Sequence, residues 1–214
     1  MRRQRVKPEE NPAKKMAKNI RTFAFITCLV VIAVIFIFYR HKQEGPADSG
    51  SGAASTADKL IQKDLELGYP ATPTEVLKYL GRINQCMYNT GVSDEQFDQL
   101  LNQIRALYST SLLEQNPLEE HRKNITAEIE EFQSAKRKIV NYTVEKSGSV
   151  NYKTIDGQSC AYVQTAYFMN EKGKYSKSYQ DYVLVQEEDK WKILSFKKNE
   201  KANQEANQEA PKDS

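Results

Sequence analysis

The spacing of apolar residues changes twice along this chain, and each change predicts a different kind of element. Thr22 to Tyr39, TFAFITCLVVIAVIFIFY, is an unbroken run of 18 residues without a charge. As a helix it would be about 27 Å long, close to a hydrocarbon core of about 30 Å. From Thr72 the apolar residues recur at helical spacing instead. Val76, Leu77, Leu80, Ile83 and Met87 share one face. Phe97, Leu100, Leu101, Ile104 and Leu107 form a second face, and Leu118, Ile125, Ile129 and Phe132 a third. Each of these segments opens on a start signal. Thr72-Pro73-Thr74-Glu75 and Ser93-Asp94-Glu95-Gln96 are capping boxes, and Asn116-Pro117 opens the third. A shorter helix is predicted ahead of them, over Asp58 to Leu67.

From Arg137 the period drops to two, the period of a strand with one face buried. KIVNYTVEK sets Val140, Tyr142 and Val144 against Ile139, Asn141 and Thr143. SVNYKTI, SCAYVQTAYFMN, SYQDYVLVQE and WKILSF follow, separated by Asp156-Gly157, EKGK and EDK. Polar turns this short join antiparallel neighbours. Helices first and strands after predict an α+β domain, with three helices packed on an antiparallel sheet of four to five strands.

Charge then orients the chain. The net +3 is concentrated at one end: residues 1–21 carry eight Lys/Arg against Glu9 and Glu10. Residues 58–198 carry 19 basic and 20 acidic side chains. The folded part is therefore near neutral, which argues against a nucleic-acid-binding domain. The positive bias before the apolar run predicts a cytoplasmic N-terminus, with the remainder across the membrane. A cleaved signal peptide is the competing reading. It would have a shorter apolar region ending in small residues, whereas this run ends in Ile-Phe-Tyr-Arg. Cys28 lies in the middle of the run, not after small residues at its end, which argues against a lipoprotein signal.

The organisation read from the chain is a basic cytoplasmic segment (1–21), a transmembrane helix (22–39), a flexible linker (40–57), an extracytoplasmic α+β domain (58–198) and a disordered tail (199–214). The linker is rich in Gly, Ser, Ala and Pro and would hold the domain roughly 20–25 Å from the bilayer. The tail repeats ANQE in tandem.

Candidate chemistry is sparse. The histidines are His41 beside the apolar run and His121 on a charged helix. No Cys/His spacing suggests zinc and no Gly-rich phosphate loop is present, so no cofactor or metal is expected. Cys86 and Cys160 are read as buried thiols, with a disulfide between them as the alternative. Asn124-Ile-Thr126 and Asn141-Tyr-Thr143 match glycosylation sequons, which would be inert were the chain bacterial, and Asn141 falls in a predicted strand.

Tight registers predict the strand faces. If Asn170 pairs with Tyr175, then Tyr162 pairs with Val183 and Gln164 with Asp181. If Glu187 pairs with Lys190, then Asp181 pairs with Phe196 and Val183 with Leu194. Tyr162, Gln164, Tyr179, Asp181 and Phe196 would then line one face with Val183 and Leu194. Trp191 and Ile193 would be structural residues on the other, with Val163, Tyr167, Tyr182 and Leu184. A slip of one residue would exchange the faces. An Asp among aromatic rings is a candidate base; the alternative is that Asp181 points to solvent and the tyrosines cover the sheet.

Three capped helices, long hairpins and a closing acidic turn before Trp-Lys-Ile resemble the nuclear-transport-factor-2-like (SnoaL-like) superfamily. The stretch that carries the likeness best is YVQTAYFMNEKGKYSKSYQDYVLVQEEDKWKILSF, within a match over about residues 70–198. The resemblance implies a curved, cone-shaped sheet, of the cystatin/nuclear-transport-factor-2-like type, enclosing a pocket against the helices. Members include enzymes, binders and scaffolds, and the ketosteroid-isomerase-like ones pair an Asp with aromatic residues. In layout the chain is also similar to single-pass envelope proteins of Gram-positive anaerobes. It is similar too to the bitopic channel subunit of conjugative and type IV secretion systems, although its cytoplasmic part is smaller. The expectation is a domain anchored in the cell membrane that binds a protein partner or self-associates without catalysis. A small-molecule-binding domain is the alternative, and a SnoaL-like isomerase or hydrolase a further one.

Overall fold

The computed structural model describes residues 55–89 and 91–209, with side chains described to residue 206. The basic segment, the apolar run 22–39 and most of the linker lie outside the described residues. Among the described residues no helix is long and apolar enough to cross a membrane.

Five helices precede the sheet: α1 (Thr56–Ile61), α2 (Pro73–Asn89), α3 (Asp94–Arg105), α4 (Thr110–Gln115) and α5 (Leu118–Ser134). Five strands follow: β1 (Arg137–Val144), β2 (Asn151–Ile155), β3 (Gln158–Glu171), β4 (Lys174–Glu187) and β5 (Lys190–Lys198). A last helix, α6, spans Glu200–Glu209. The molecule is thus α+β, with helices packed on an antiparallel five-stranded sheet.

Several local expectations change. The first helix starts inside the expected linker, because Ser55 and Asp58 form a capping box. It ends early because the Asp64 carboxylate accepts the N–H groups of Glu66 and Leu67 and so folds a turn. Helix α4 was not expected; Ser109 caps it through the N–H of Leu112. The 199–214 segment, expected to be disordered, begins as α6, and its Asn199 accepts the N–H of Ala202. On α5, Ile125, Ile129 and Phe132 pack inward as expected, while Leu118 is 44% exposed and His121 takes the buried position in the first turn.

The sheet order is β1-β3-β4-β5, and β2 shares with β1 the same edge of β3. The three two-residue hairpin turns hold both residues at positive φ: Asp156-Gly157, Lys172-Gly173 and Glu188-Asp189. Such turns match the right-handed twist of the flanking strands. They fix tight registers, so Gln164 pairs with Asp181 and Tyr162 with Val183.

Two bulges break the regular alternation. Between Ile139 and Asn141 the register of β1 shifts past Val140. Ile139 therefore stays buried and Tyr142 still pairs with Tyr167, while Val140 is 45% exposed. In β5 the shift falls at Leu194: Leu184 pairs with Ile193, Val183 with Ser195, Tyr182 with Phe196 and Asp181 with Lys197. The expected pairings Asp181–Phe196 and Val183–Leu194 are corrected accordingly, because a bulge moves every later residue to the other face.

The core lies between helices and sheet. Val76, Leu77, Ile83 and Met87 of α2 and Leu100, Leu101 and Ile104 of α3 meet Ala161, Val163, Leu184 and Ile193. Cys86 belongs to this core. Cys160 is also buried but alternates with Ala161, so the sheet lies between the two thiols. At the outer edge of β5, Ile193 N–H donates to the Leu107 carbonyl (2.8 Å) and Ser109 N–H to the Ile193 carbonyl (2.9 Å).

Exposed strand edges invite pairing with other chains, and here two asparagine carboxamides cover them. Asn89 of α2 donates to the Ile139 carbonyl (2.6 Å) and accepts the Ile139 N–H (2.8 Å). Asn203 of α6 accepts the Tyr179 N–H (2.6 Å) and donates to its carbonyl (3.3 Å). Each amide side chain takes the place of one residue of a missing strand.

Candidate functional site

Four of the five candidate pocket residues line one groove, three of them on one strand face and Phe196 at its rim. Tyr162 and Gln164 of β3 and Asp181 of β4 line a groove of about 660 Å³ on the sheet face turned away from the helices. Val183, Ser195 and Lys197 extend it across β4 and β5, and Glu145, Ser149 and Asn151 close its other side.

Both oxygens of the Asp181 carboxylate accept hydrogen bonds. Gln164 Nε2 donates to its Oδ1 (3.1 Å), and Asn199 Nδ2 reaches both oxygens (3.2 and 3.0 Å). Asn199 is the residue that caps α6, so Asp181 positions the start of that helix. Across the groove, Glu145 Oε2 accepts the backbone N–H of Gln164 (3.1 Å). A base needs a free lone pair directed at a substrate proton, and here three of the carboxylate's roughly four acceptor sites are directed at neighbouring amides.

The other two candidates are placed differently. Tyr179 is further along β4, outside the groove lining, with the Lys177 ammonium 4.3 Å from its ring centroid and bonded to its hydroxyl. Phe196 contributes to the groove rim, but its ring stacks on Tyr182 at 5.7 Å, as the bulge at Leu194 dictates. Trp191 and Ile193 are on the helix-bearing face. Ile193 is fully buried, and Trp191 lies against Tyr152, its carbonyl accepting the Tyr69 hydroxyl (2.9 Å).

A second hollow, of about 130 Å³, lies between helices and sheet and includes residues that the strand pattern did not single out. Asn84, Tyr88 and Glu128 approach it from α2 and α5, and Tyr167 and Gln180 from the sheet. Asn84 Nδ2 donates to the Tyr167 hydroxyl (3.0 Å), and the Tyr182 hydroxyl donates to Gln180 Oε1 (2.6 Å). Burial, with Glu128 nearby, pushes the Tyr88 hydroxyl well above the ordinary tyrosine range; burial likewise raises Tyr108, Tyr167 and Tyr182. These hydroxyls are therefore held as protonated donors. The available signal was Asn84 and Tyr88, polar groups spaced i, i+4 in phase with the apolar stripe of α2.

His121 sits at 7% exposure, its ring stacked on Tyr108 (5.4 Å) with Arg105 Nη1 3.4 Å from its Nδ1. Burial first, and then the Arg105 charge, lower its pKa below the ordinary 6.5. The folded state thus favours the neutral ring, and the unfolded chain binds more protons. Stability is expected to be full above about pH 6.5 and to fall as the pH drops below that value toward the folded pKa. Thermal unfolding followed across pH 5 to 8 checks this, and His121→Gln should flatten the profile.

These features define a small α+β domain with an open groove on its outer sheet face and a narrower hollow between helices and sheet. Among the described residues no group of three His, Cys, Asp or Glu side chains is placed to hold a metal. The chain belongs to the family described as Domain of unknown function (DUF6715), whose model matches residues 12–196. No curated protein and no solved structure matches it.

Proposed function

We propose that this protein is a single-pass, membrane-anchored module whose extracytoplasmic, nuclear-transport-factor-2-like domain binds a protein partner at the cell envelope without catalysis. The observation that carries the reading is the open outer-face groove, lined by apolar and polar side chains, whose candidate base Asp181 is bonded to Gln164 and Asn199. The uncharged run at 22–39 and the basic residues before it support the anchor. The family match at 12–196 includes that run and the folded domain together. Helices over a long-stranded antiparallel sheet, with a hollow between the layers, agree with the cone-shaped superfamily. The engagement of Asp181 favours this reading over an isomerase or hydrolase.

Photocrosslinking in native membranes tests it. A photoreactive residue at Tyr162 or Lys197 is expected to capture a protein, or a second copy of this chain, that the same probe at exposed Glu130 on α5 does not. Equal capture at all three positions, or none, would count against the groove. Recovery of the mature chain from the medium without its first forty-odd residues would count against the anchor.

The interior hollow favours a second reading, a small-molecule-binding domain. Native mass spectrometry of the purified chain would then show a bound compound that Asn84→Leu releases.

A further inference from the structure

A third concavity, of about 510 Å³, lies between the turn at Gly68 to Ala71 and the exposed side of α2. Lys63, Lys78 and Arg82 converge on it. Lys78 and Arg82 are one helical turn apart, a like-charge spacing that destabilises a helix unless something neutralises it. Among the described residues no carboxylate forms an ion pair with either. The two ion pairs found there, Arg122–Asp98 and Arg137–Glu171, involve none of these cations. Glu75 is the one carboxylate lining the hollow, and its Oε2 accepts the Ala71 N–H (3.0 Å). The Tyr79 ring draws two of the cations together, with Lys63 Nζ 5.2 Å and Arg82 Cζ 5.6 Å from its centroid. Tyr142 forms the far wall and is fixed by its hydroxyl bond to the Lys78 carbonyl (3.0 Å).

Beside this hollow the chain displays an apolar side chain. Leu67 is 90% exposed. It is held out by an ordered turn: Asp64 accepts the N–H groups of Glu66 and Leu67, and Gly68 N–H donates to the Asp64 carbonyl (2.9 Å). Uncompensated cations next to a displayed leucine suit an anionic head group with an acyl chain behind it.

We propose that this hollow binds a phosphate-class anion through Lys63, Lys78 and Arg82. The same chemistry is available from a phospholipid head group and from phosphate in solution. A head group would also engage Leu67, whereas free phosphate would not.

The test uses the full chain in phosphatidylcholine nanodiscs, with hydrogen exchange of residues 66–75 read by mass spectrometry. One arm replaces about one lipid in three with phosphatidylglycerol. The other keeps phosphatidylcholine alone and adds millimolar inorganic phosphate, with a parallel run in detergent. Exchange is expected to slow by about threefold or more in at least one arm. The exposed pair Lys78→Gln/Arg82→Gln should erase that protection without lowering the unfolding temperature. Leu67→Ser should weaken protection by phosphatidylglycerol alone, which identifies the lipid as the source. Protection by phosphate that is indifferent to Leu67→Ser identifies the soluble anion. Absence of protection in both arms, or its survival in the double variant, overturns the proposal. Failure of the chain to enter nanodiscs would count against the anchor, and the detergent run would still decide the site.

Discussion

Gly81→Leu is expected to be among the most destabilising single changes in the domain. Gly81 is buried in the middle of α2, and a Cβ built there would lie 2.5 Å from Cδ2 and Cε2 of Tyr142 and 3.0 Å from its Cγ. The near side of the ring is in the way, not its tip. The ring is also fixed at the tip by the hydroxyl bond to the Lys78 carbonyl, so turning aside would sacrifice that bond. Alanine in a helix interior is favoured over glycine by about 1 kcal/mol, while overpacking costs about 1–3 kcal/mol. Gly81→Ala should therefore lose up to about 2 kcal/mol, and Gly81→Leu more than about 3 kcal/mol. Tyr142→Ala would remove the obstacle, so Gly81→Ala should cost less in that background. Urea unfolding of the full chain in detergent measures this, with the single tryptophan, Trp191, as the fluorophore. A Gly81→Ala variant that is more stable than the parent would contradict the close approach.

Gly81 also marks a limit of sequence reading. In the sequence it is a glycine within a well-capped helical stripe, and nothing local reveals the ring that lies against it. The capping boxes and the short turns are different, because their chemistry acts within a few residues. Ser93 does bond the N–H of Gln96, and Asp156-Gly157 and Lys172-Gly173 do adopt positive φ. The β3–β4 register follows from the second of these turns, which is why Tyr162, Gln164 and Asp181 could be assembled from the letters alone.

The bulges were not legible because their causes are tertiary. Val140 is looped out so that Ile139 can reach Asn89 and the buried interior while Tyr142 meets α2. Likewise Leu194 is looped out where the backbone of Ile193 is bound to Leu107 and Ser109, more than eighty residues earlier. For that reason the Phe196 ring turns to Tyr182 and the residue meets the groove only at its rim. His121 was hidden by the charges around it on α5, although its partners Tyr108 and Arg105 lie nearby in sequence. Asn199 and Asn203 fall in the segment whose polar composition predicts a disordered tail. Their i, i+4 spacing places both on one side of α6, where one holds Asp181 and the other the edge of β4.

Ile193→Ala is the second large effect, and it bears on the bulge directly. Ile193 is fully buried among the core residues, paired with the equally buried Leu184. Truncation removes three carbons and leaves a cavity that rigid neighbours cannot close, at a cost of about 2–5 kcal/mol. Ile193→Val should cost about 0.5–1.5 kcal/mol. The backbone bonds to Leu107 and Ser109 do not depend on the side chain, so the denaturant dependence should keep its slope. Leu194 is the control. A regular register would pair it with Val183, whereas the bulge leaves it half-buried and unpaired. Leu194→Ala should accordingly cost less than about 1.5 kcal/mol, well under the buried-leucine range. If the order were reversed, with Leu194 the costlier truncation, the shifted register would be wrong. The Phe196 ring would then turn into the groove beside Asp181, and the reasons for excluding a base there would have to be weighed again.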